Sequence, residues 1–274
     1  MNEFQQAKRI VVKVGSSTLT YPTGGMNLRR IEELSKVISD LKNQGRQVVL
    51  VSSGAIAAGM GQLGFAQRPT DIASKQAAAS VGQCSLMYLY DKFFSEYGHT
   101  VSQVLLTGDA VEHEERRQNV HNTFQRLLEL GVVPIVNEND TVETQELEGR
   151  NFGDNDTLSA VVAGLCGAQG LVILTDIDGL YDKDPRKEPG AKLIHRVVGV
   201  TPEIEALAGG AGSDRGTGGM ATKLKAARLC GDLGIPCAVI AGDDRENLYR
   251  LMAGEAVGTL FLPPEPGGER SETV

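Results

Sequence analysis

The chain alternates short, almost continuously apolar runs with longer stretches in which apolar positions recur every three or four residues. The run beginning at Ile10, and those over 47–53, 100–107, 132–137, 171–175 and 236–241, are rich in valine, isoleucine and leucine and have the length of strands. Between them, 28–43 places Leu28, Ile31, Leu34, Val37, Ile38 and Leu41 on one helical face and stops at Gly45, a residue suited to the left-handed position that ends helices. Segments 71–97, 115–130, 156–166, 220–233 and 245–252 continue the helical pattern. Such alternation predicts an α/β fold, with a mostly parallel sheet, helices on both faces and ligands at the carboxyl ends of the strands. Segments 141–151 and 176–195 are polar and glycine-containing, and read as protruding hairpins able to act as lids. No linker or repeat divides the chain, so one domain is expected over 1–262, followed by a disordered Pro/Gly/Glu-rich tail over 263–274.

Departures from that pattern carry the chemistry. The first strand reads Ile10-Val11-Val12-Lys13-Val14 and runs into Gly15, Ser16, Ser17 and Thr18. Strands buried in parallel sheets are near-continuous apolar runs, so a lysine inside one must face a partner, and an anion at the strand's carboxyl end fits best. The alternative is a lysine snorkelling from an edge strand. Near the other end of the chain, a glycine-rich run over 209–219 opens into a helix beginning Met220-Ala221-Thr222-Lys223. Glycines let backbone N–H groups close on an anion, a helix N-terminus adds partial positive charge, and Lys223 lies in the first turn; the three together describe a phosphate site. Polar clusters also follow the strands: Ser52-Ser53-Gly54-Ala55, Asn137-Glu138-Asn139-Asp140 and Thr175-Asp176. Another, Asp154-Asn155-Asp156, opens a helix; capping needs one of the three, which leaves at least one to face the site and align the lysines.

Composition narrows the classes. Of 274 residues 41% are hydrophobic, ample for a core, yet no apolar stretch has the length of a membrane span and the N-terminus has no signal-peptide core, so a cytoplasmic protein is expected. The formal net charge of −8 argues against a nucleic-acid partner. Cys84, Cys166, Cys230 and Cys237 lack Cys-x-x-Cys spacing and read as reduced core residues, and the four histidines are scattered, so no transition-metal site is expected. Gly59-Met60-Gly61-Gln62-Leu63-Gly64 matches the dinucleotide pattern, but the preceding strand ends a helical turn too early. No Gly-Lys dipeptide of a Walker A loop and no Gly-x-Ser-x-Gly elbow occurs.

Taken together, Val12-Lys13-Val14-Gly15-Ser16-Ser17, Val51-Ser52-Ser53-Gly54-Ala55-Ile56-Ala57-Ala58-Gly59, Asn137-Glu138-Asn139-Asp140, Gly153-Asp154-Asn155-Asp156 and Gly216-Thr217-Gly218-Gly219-Met220-Ala221-Thr222-Lys223 resemble the amino acid kinase family, over nearly the whole chain from Ile10 to Leu262. The resemblance implies a three-layer αβα sandwich and ATP-dependent phosphorylation of the side-chain carboxylate of L-glutamate, the first step of proline biosynthesis. It implies that Lys13 and Lys223 stabilise the transferring phosphoryl group, with Asp156 holding both. Ser53, Gly54, Asn137, Asp140 and Asn155 would bind glutamate. Lys13, Thr175, Asp176, Thr217, Gly218, Gly219, Met220, Ala221, Thr222 and Lys223 would hold the nucleotide. Mg²⁺ accompanying ATP, proline as a feedback inhibitor, a following glutamyl phosphate reductase and a homodimer or homotetramer are implied in the same way; the metal's ligands stay open. Many relatives carry a C-terminal PUA domain, and the short stretch after Leu262 leads us to expect a form without it. Family kinases acting on N-acetylglutamate, carbamate or UMP, and a non-catalytic nucleotide or amino-acid sensor, remain alternatives.

The chemistry agrees with this reading. A glutamate side chain has an unperturbed pKa of ~4.3, so at neutral pH the nucleophile is already ionised and needs no general base. The difficulty is bringing one anion to another, and lysines, backbone N–H groups and Mg²⁺ answer it. A free amino acid also needs a partner for its ammonium group, a role that suits Asp140.

Overall fold

The protein is described by a computed structural model covering residues 2–21, 25–142, 153–208 and 219–264. β1 (Arg9–Val14) leads through a single turn, α1 (Ser16–Leu19), into α2 (Leu28–Asn43) and β2 (Gln47–Ser52). The paired helices α3 (Ala55–Leu63) and α4 (Ile72–Glu96) precede β3 (Val101–Leu106), α5 (Asp109–Glu112), α6 (Glu114–Glu129) and β4 (Val133–Glu138). α7 (Asn155–Cys166) and β5 (Leu171–Thr175) come next, then the short hairpin β6 (Leu180–Tyr181) and β7 (Leu193–Ile194). β8 (Arg196–Val198), α8 (Pro202–Leu207), α9 (Met220–Asp232), β9 (Cys237–Ala241), α10 (Glu246–Met252) and β10 (Thr259–Leu262) are the last of the elements among the described residues.

Among the described residues eight strands form one sheet in the order β3-β4-β2-β1-β5-β9-β10-β8, parallel except where β10 runs against β9. Strand alternation sorts the side chains into two cores. Ile10, Val12 and Val14 of β1, with Val48 and Leu50 of β2, face α2, α4 and α10. Val11 of β1, with Val49 and Val51 of β2, faces α6, α7 and α9. The expected sandwich, a mostly parallel sheet between two helical layers, is the fold.

Two consequences position the site. β1 lies between β2 and β5, in the middle of the sheet, so Lys13 does not snorkel from an edge strand. Lys13 also shares its side of β1 with Val11, which turns it toward the layer that contains α7 and α9.

α3 and α4 approach backbone to backbone. A Cβ on Gly59 would fall 1.8 Å from the Ala78 carbonyl oxygen, and one on Gly82 would fall 1.8 Å from that of Ala55. Only glycine permits that approach, and it draws α4 up to the start of α3 just beyond β2.

Of the sequence-predicted hairpins, 176–195 contains the β6–β7 pair, anchored where Thr259 Oγ1 receives the Leu180 N–H at 2.7 Å and stands 2.6 Å from the Ile194 carbonyl. The other, over 141–151, and the tail over 263–274 lie almost wholly outside the described residues. The cysteine expectation needs one correction: Cys166, Cys230 and Cys237 are buried, but Cys84 is exposed on α4, because it points away from the stripe that packs on α3. Burial pushes the Cys166 thiol up to about 12, as expected of an inert core residue. Among the described residues no helix is long and apolar enough to cross a membrane.

Candidate active site

Three consecutive polar residues at the start of α7 take three different directions. Asp154 is the N-cap: its Oδ1 accepts the Thr157 N–H at 2.8 Å and its Oδ2 accepts the Thr157 hydroxyl at 3.0 Å. Asn155 turns toward β2 and β4, and Asp156 turns toward β1 and α9. Helical rotation of about 100° per residue separates them, so one cap and two site residues fit in a single turn.

Asp156 is 1% exposed and carries both lysines. Lys13 Nζ stands 2.7 Å from Oδ1, an ion pair rather than a well-directed hydrogen bond. Lys223 Nζ donates to Oδ2 at 3.3 Å, and the Thr222 hydroxyl meets the same oxygen at 2.7 Å. Burial alone would raise the Asp156 carboxyl, but the adjacent Lys13 and Lys223 charges, with the hydrogen bond from Thr222, outweigh it and hold the group below its ordinary value. Two cations on one carboxylate leave the cluster with a net positive charge, next to the carboxyl end of β1.

Helix starts add to that field. α1, α3 and α9 begin after Gly15, Gly54 and Gly219, and none of these N-caps supplies a side chain to the first-turn N–H groups. Such uncapped N-termini offer N–H groups and partial positive charge to an anion. Gly54 takes φ 101°, a left-handed conformation that a side chain would strain, at the turn from β2 into α3. Gly15 lies against the Lys13 ammonium, since a Cβ there would stand 3.6 Å from Nζ.

Beside the charged cluster lies a web of amides and hydroxyls. Asn155 Nδ2 donates to Ser53 Oγ at 2.7 Å and to Asn137 Oδ1 at 3.1 Å. Asn137, 3% exposed at the end of β4, donates from Nδ2 to Gln83 Oε1 at 3.0 Å. A small cleft opens there, lined by Ala55, Ala79, Gln83, Glu138 and Asp140 among others. Behind β2, the Ser52 hydroxyl meets the fully buried Tyr90 hydroxyl at 2.8 Å, and desolvation raises the Tyr90 phenol well above its ordinary range.

The structure therefore brings Lys13, Asp156, Lys223 and Thr222 together, and Ser53, Asn137 and Asn155 together, with Gly54 and Asp140 beside the second group. Thr175 ends β5, its carbonyl accepting the Gly242 N–H at 2.7 Å and its hydroxyl donating to Asp176 at 3.2 Å; Asp176 itself is exposed. Gly219, Met220 and Ala221 form the start of α9, whereas Thr217 and Gly218 lie outside the described residues. Sequence reasoning missed the Thr222–Asp156 contact and missed Gln83. A signal for Gln83 existed: it follows the buried Ala79 by one helical turn and adjoins Gly82, so it had to lie on the packed side of α4.

Known proteins match the chain over most of its length. A family profile described as the amino acid kinase family matches residues 8–241. The chain is 55% identical over 259 residues to a glutamate 5-kinase of Clostridium perfringens, covering 94% of this chain and 96% of that one. It is 52% identical over 258 residues to a glutamate 5-kinase of Listeria innocua, covering 94% of each. A glutamate 5-kinase of Moorella thermoacetica is 53% identical over 260 residues, which cover 95% of this chain but 68% of the longer relative. Among solved structures, the UMP kinase of Bacillus anthracis superposes with a TM-score of 0.64 at 17% identity, over 94% of this chain and 96% of that one, a likeness of fold. The fold and these relatives are those of a small-molecule kinase. The chain belongs to the amino acid kinase family.

Proposed function

We propose that the protein transfers the terminal phosphoryl group of ATP to the side-chain carboxylate of L-glutamate, forming L-glutamyl 5-phosphate, and that residues 1–262 act as one kinase domain. The observation that carries the phosphoryl-transfer reading is the pair of buried lysines held on Asp156 at the carboxyl end of β1. The relatives, each named a glutamate 5-kinase, support glutamate as the acceptor.

In this reading the acceptor carboxylate attacks phosphorus, the bond to the bridging oxygen breaks, and ADP leaves. Lys13 and Lys223 meet the charge on the transferring oxygens, with Asp156 and Thr222 fixing their positions. Ser53, Gly54 and Asn155 hold the reacting carboxylate, and Asn137 fixes Asn155. Asp140 takes the α-ammonium, a charge N-acetylglutamate lacks. Thr175, Asp176 and the residues from Thr217 to Lys223 hold the nucleotide.

Among the described residues no group of three His, Cys, Asp or Glu side chains converges on a metal position, and Asp156 is already committed to two lysines. That donor set fits Mg²⁺ carried by ATP phosphates and water rather than by a protein cage; it supplies further charge neutralisation when bound.

The test is ATP turnover by the purified protein with L-glutamate, N-acetylglutamate, carbamate or UMP, measuring ADP release and trapping acyl phosphate with hydroxylamine. Hydroxamate from L-glutamate, at a rate far above the other acceptors, is the expected result. Turnover with another acceptor alone would reassign the substrate, and nucleotide binding without turnover would make the protein a sensor.

A further inference from the structure

Hydrogen-bond directions around Asn137 fix the orientation of a residue that no role has yet absorbed. Asn137 Oδ1 accepts twice, from its neighbour's backbone, the Glu138 N–H at 3.0 Å, and from Asn155 Nδ2 at 3.1 Å. The other end of the Asn137 amide must then be the donor, and it meets Gln83 at 3.0 Å, so Gln83 presents Oε1 to it. The Gln83 Nε2 group is left turned away from Asn137 on a residue that lines the cleft with Glu138 and Asp140. Gln83 reaches that position because Gly82 lets α4 lie directly on α3.

We propose that Gln83 is a specificity-determining residue whose Nε2 donates to the α-carboxylate of the amino-acid acceptor. The inference rests on the glutamate reading above and adds to it. Asn137 separates two sides of the acceptor site. On one side Asn155 and Ser53 adjoin the phosphoryl position, because Asn155 precedes Asp156 in the first turn of α7. On the other side Gln83 shares the cleft with Asp140. A glutamate with its side-chain carboxylate at Ser53 and Asn155 therefore brings its α-carbon groups to Asp140 and Gln83. Asp140 suits the ammonium and repels a carboxylate, and the Gln83 amide supplies the donor that the α-carboxylate needs.

The proposal predicts a change of preference, which a purely structural role would not produce. Gln83→Glu keeps an oxygen toward Asn137 Nδ2 and replaces the donor facing the cleft by an acceptor. The substrate pair is L-glutamate and L-isoglutamine, which keeps the side-chain carboxylate and ammonium but has an α-amide. In Gln83→Glu, kcat/KM for L-glutamate relative to L-isoglutamine falls by about a hundredfold or more, as expected when a site's donor is reversed. The KM for ATP stays within about twofold, which also reports that the variant is folded. A second variant, Gln83→Met, keeps length and volume without hydrogen bonding; it raises the glutamate KM and narrows the preference for glutamate over isoglutamine. An unchanged ratio in both variants, with wild-type turnover of glutamate intact, overturns the assignment of Gln83 alone. Wild-type protein that makes no glutamyl hydroxamate overturns the glutamate reading, and this inference with it.

Discussion

Lys13 and Asp156 meet at 2.7 Å, one from the central strand and the other from the first turn of α7, because strand alternation turns Lys13 out of the face that carries Ile10, Val12 and Val14. Lys223 completes the group from α9. A carboxylate between two ammonium groups costs much less to bury than any of the three alone, and the excess positive charge is what a transferring phosphoryl group requires.

Removing either cation tests that account. Lys13→Ala and Lys223→Ala are each expected to lower kcat roughly a hundredfold, about 3 kcal/mol, the scale set by removing one preorganised oxyanion donor. Steady-state kinetics at saturating ATP and glutamate measure it. Turnover within a few-fold of wild type would remove the lysine from the mechanism.

Asp156→Asn keeps the shape and deletes the charge, leaving two buried ammonium groups facing each other. A loss of about 3 kcal/mol in folding stability at neutral pH is expected, the scale for breaking a buried pair. The folded carboxyl titrates below its ordinary value of 3.8, so the stability it contributes is present above that value and is lost as pH falls through the folded pKa. The gap in denaturation midpoint between wild type and variant should persist from neutral pH to about pH 4 and close below it.

Asp140→Asn removes the proposed partner of the substrate ammonium. The apparent KM for glutamate is expected to rise about tenfold or more while the KM for ATP changes little. Parallel titrations of the two substrates decide it, and an equal change in both would point to a general distortion of the fold.

Gly82→Ala tests the packing that places Gln83. The added methyl meets the Ala55 carbonyl, a backbone atom that cannot turn aside, so α3 and α4 must separate. About 3 kcal/mol of stability is expected to be lost, and the glutamate KM to rise, because Ala55 and Gln83 both border the cleft. Chemical denaturation beside glutamate kinetics checks both parts.

The sequence made most of the fold legible wherever burial dictated composition. α2 occupies the residues its apolar spacing marks, and β5 is an apolar run from Leu171 to Leu174 closed by the polar Thr175. β10 was not foreseen, since Thr259–Leu262 is short and owes its place to pairing with β8 and β9. Lys13 announced itself by being a charge inside an apolar strand. The division of Asp154, Asn155 and Asp156 among cap, amide web and ion pair was legible only in part, because rotation around a helix assigns directions but not partners. The place of Gln83 on the packed side of α4 was legible, but its proposed role was not: that role comes from the direction of an amide network spanning α4, β4 and α7, and direction is a property of three-dimensional contacts.

One measurement bears most directly on the whole account: ATP-dependent formation of glutamyl hydroxamate by wild type and by Lys223→Ala, side by side, with L-glutamate as acceptor. The account predicts robust product from wild type and roughly a hundredfold less from the variant. Equal rates from both proteins, or none from a wild type that binds ATP, would contradict it.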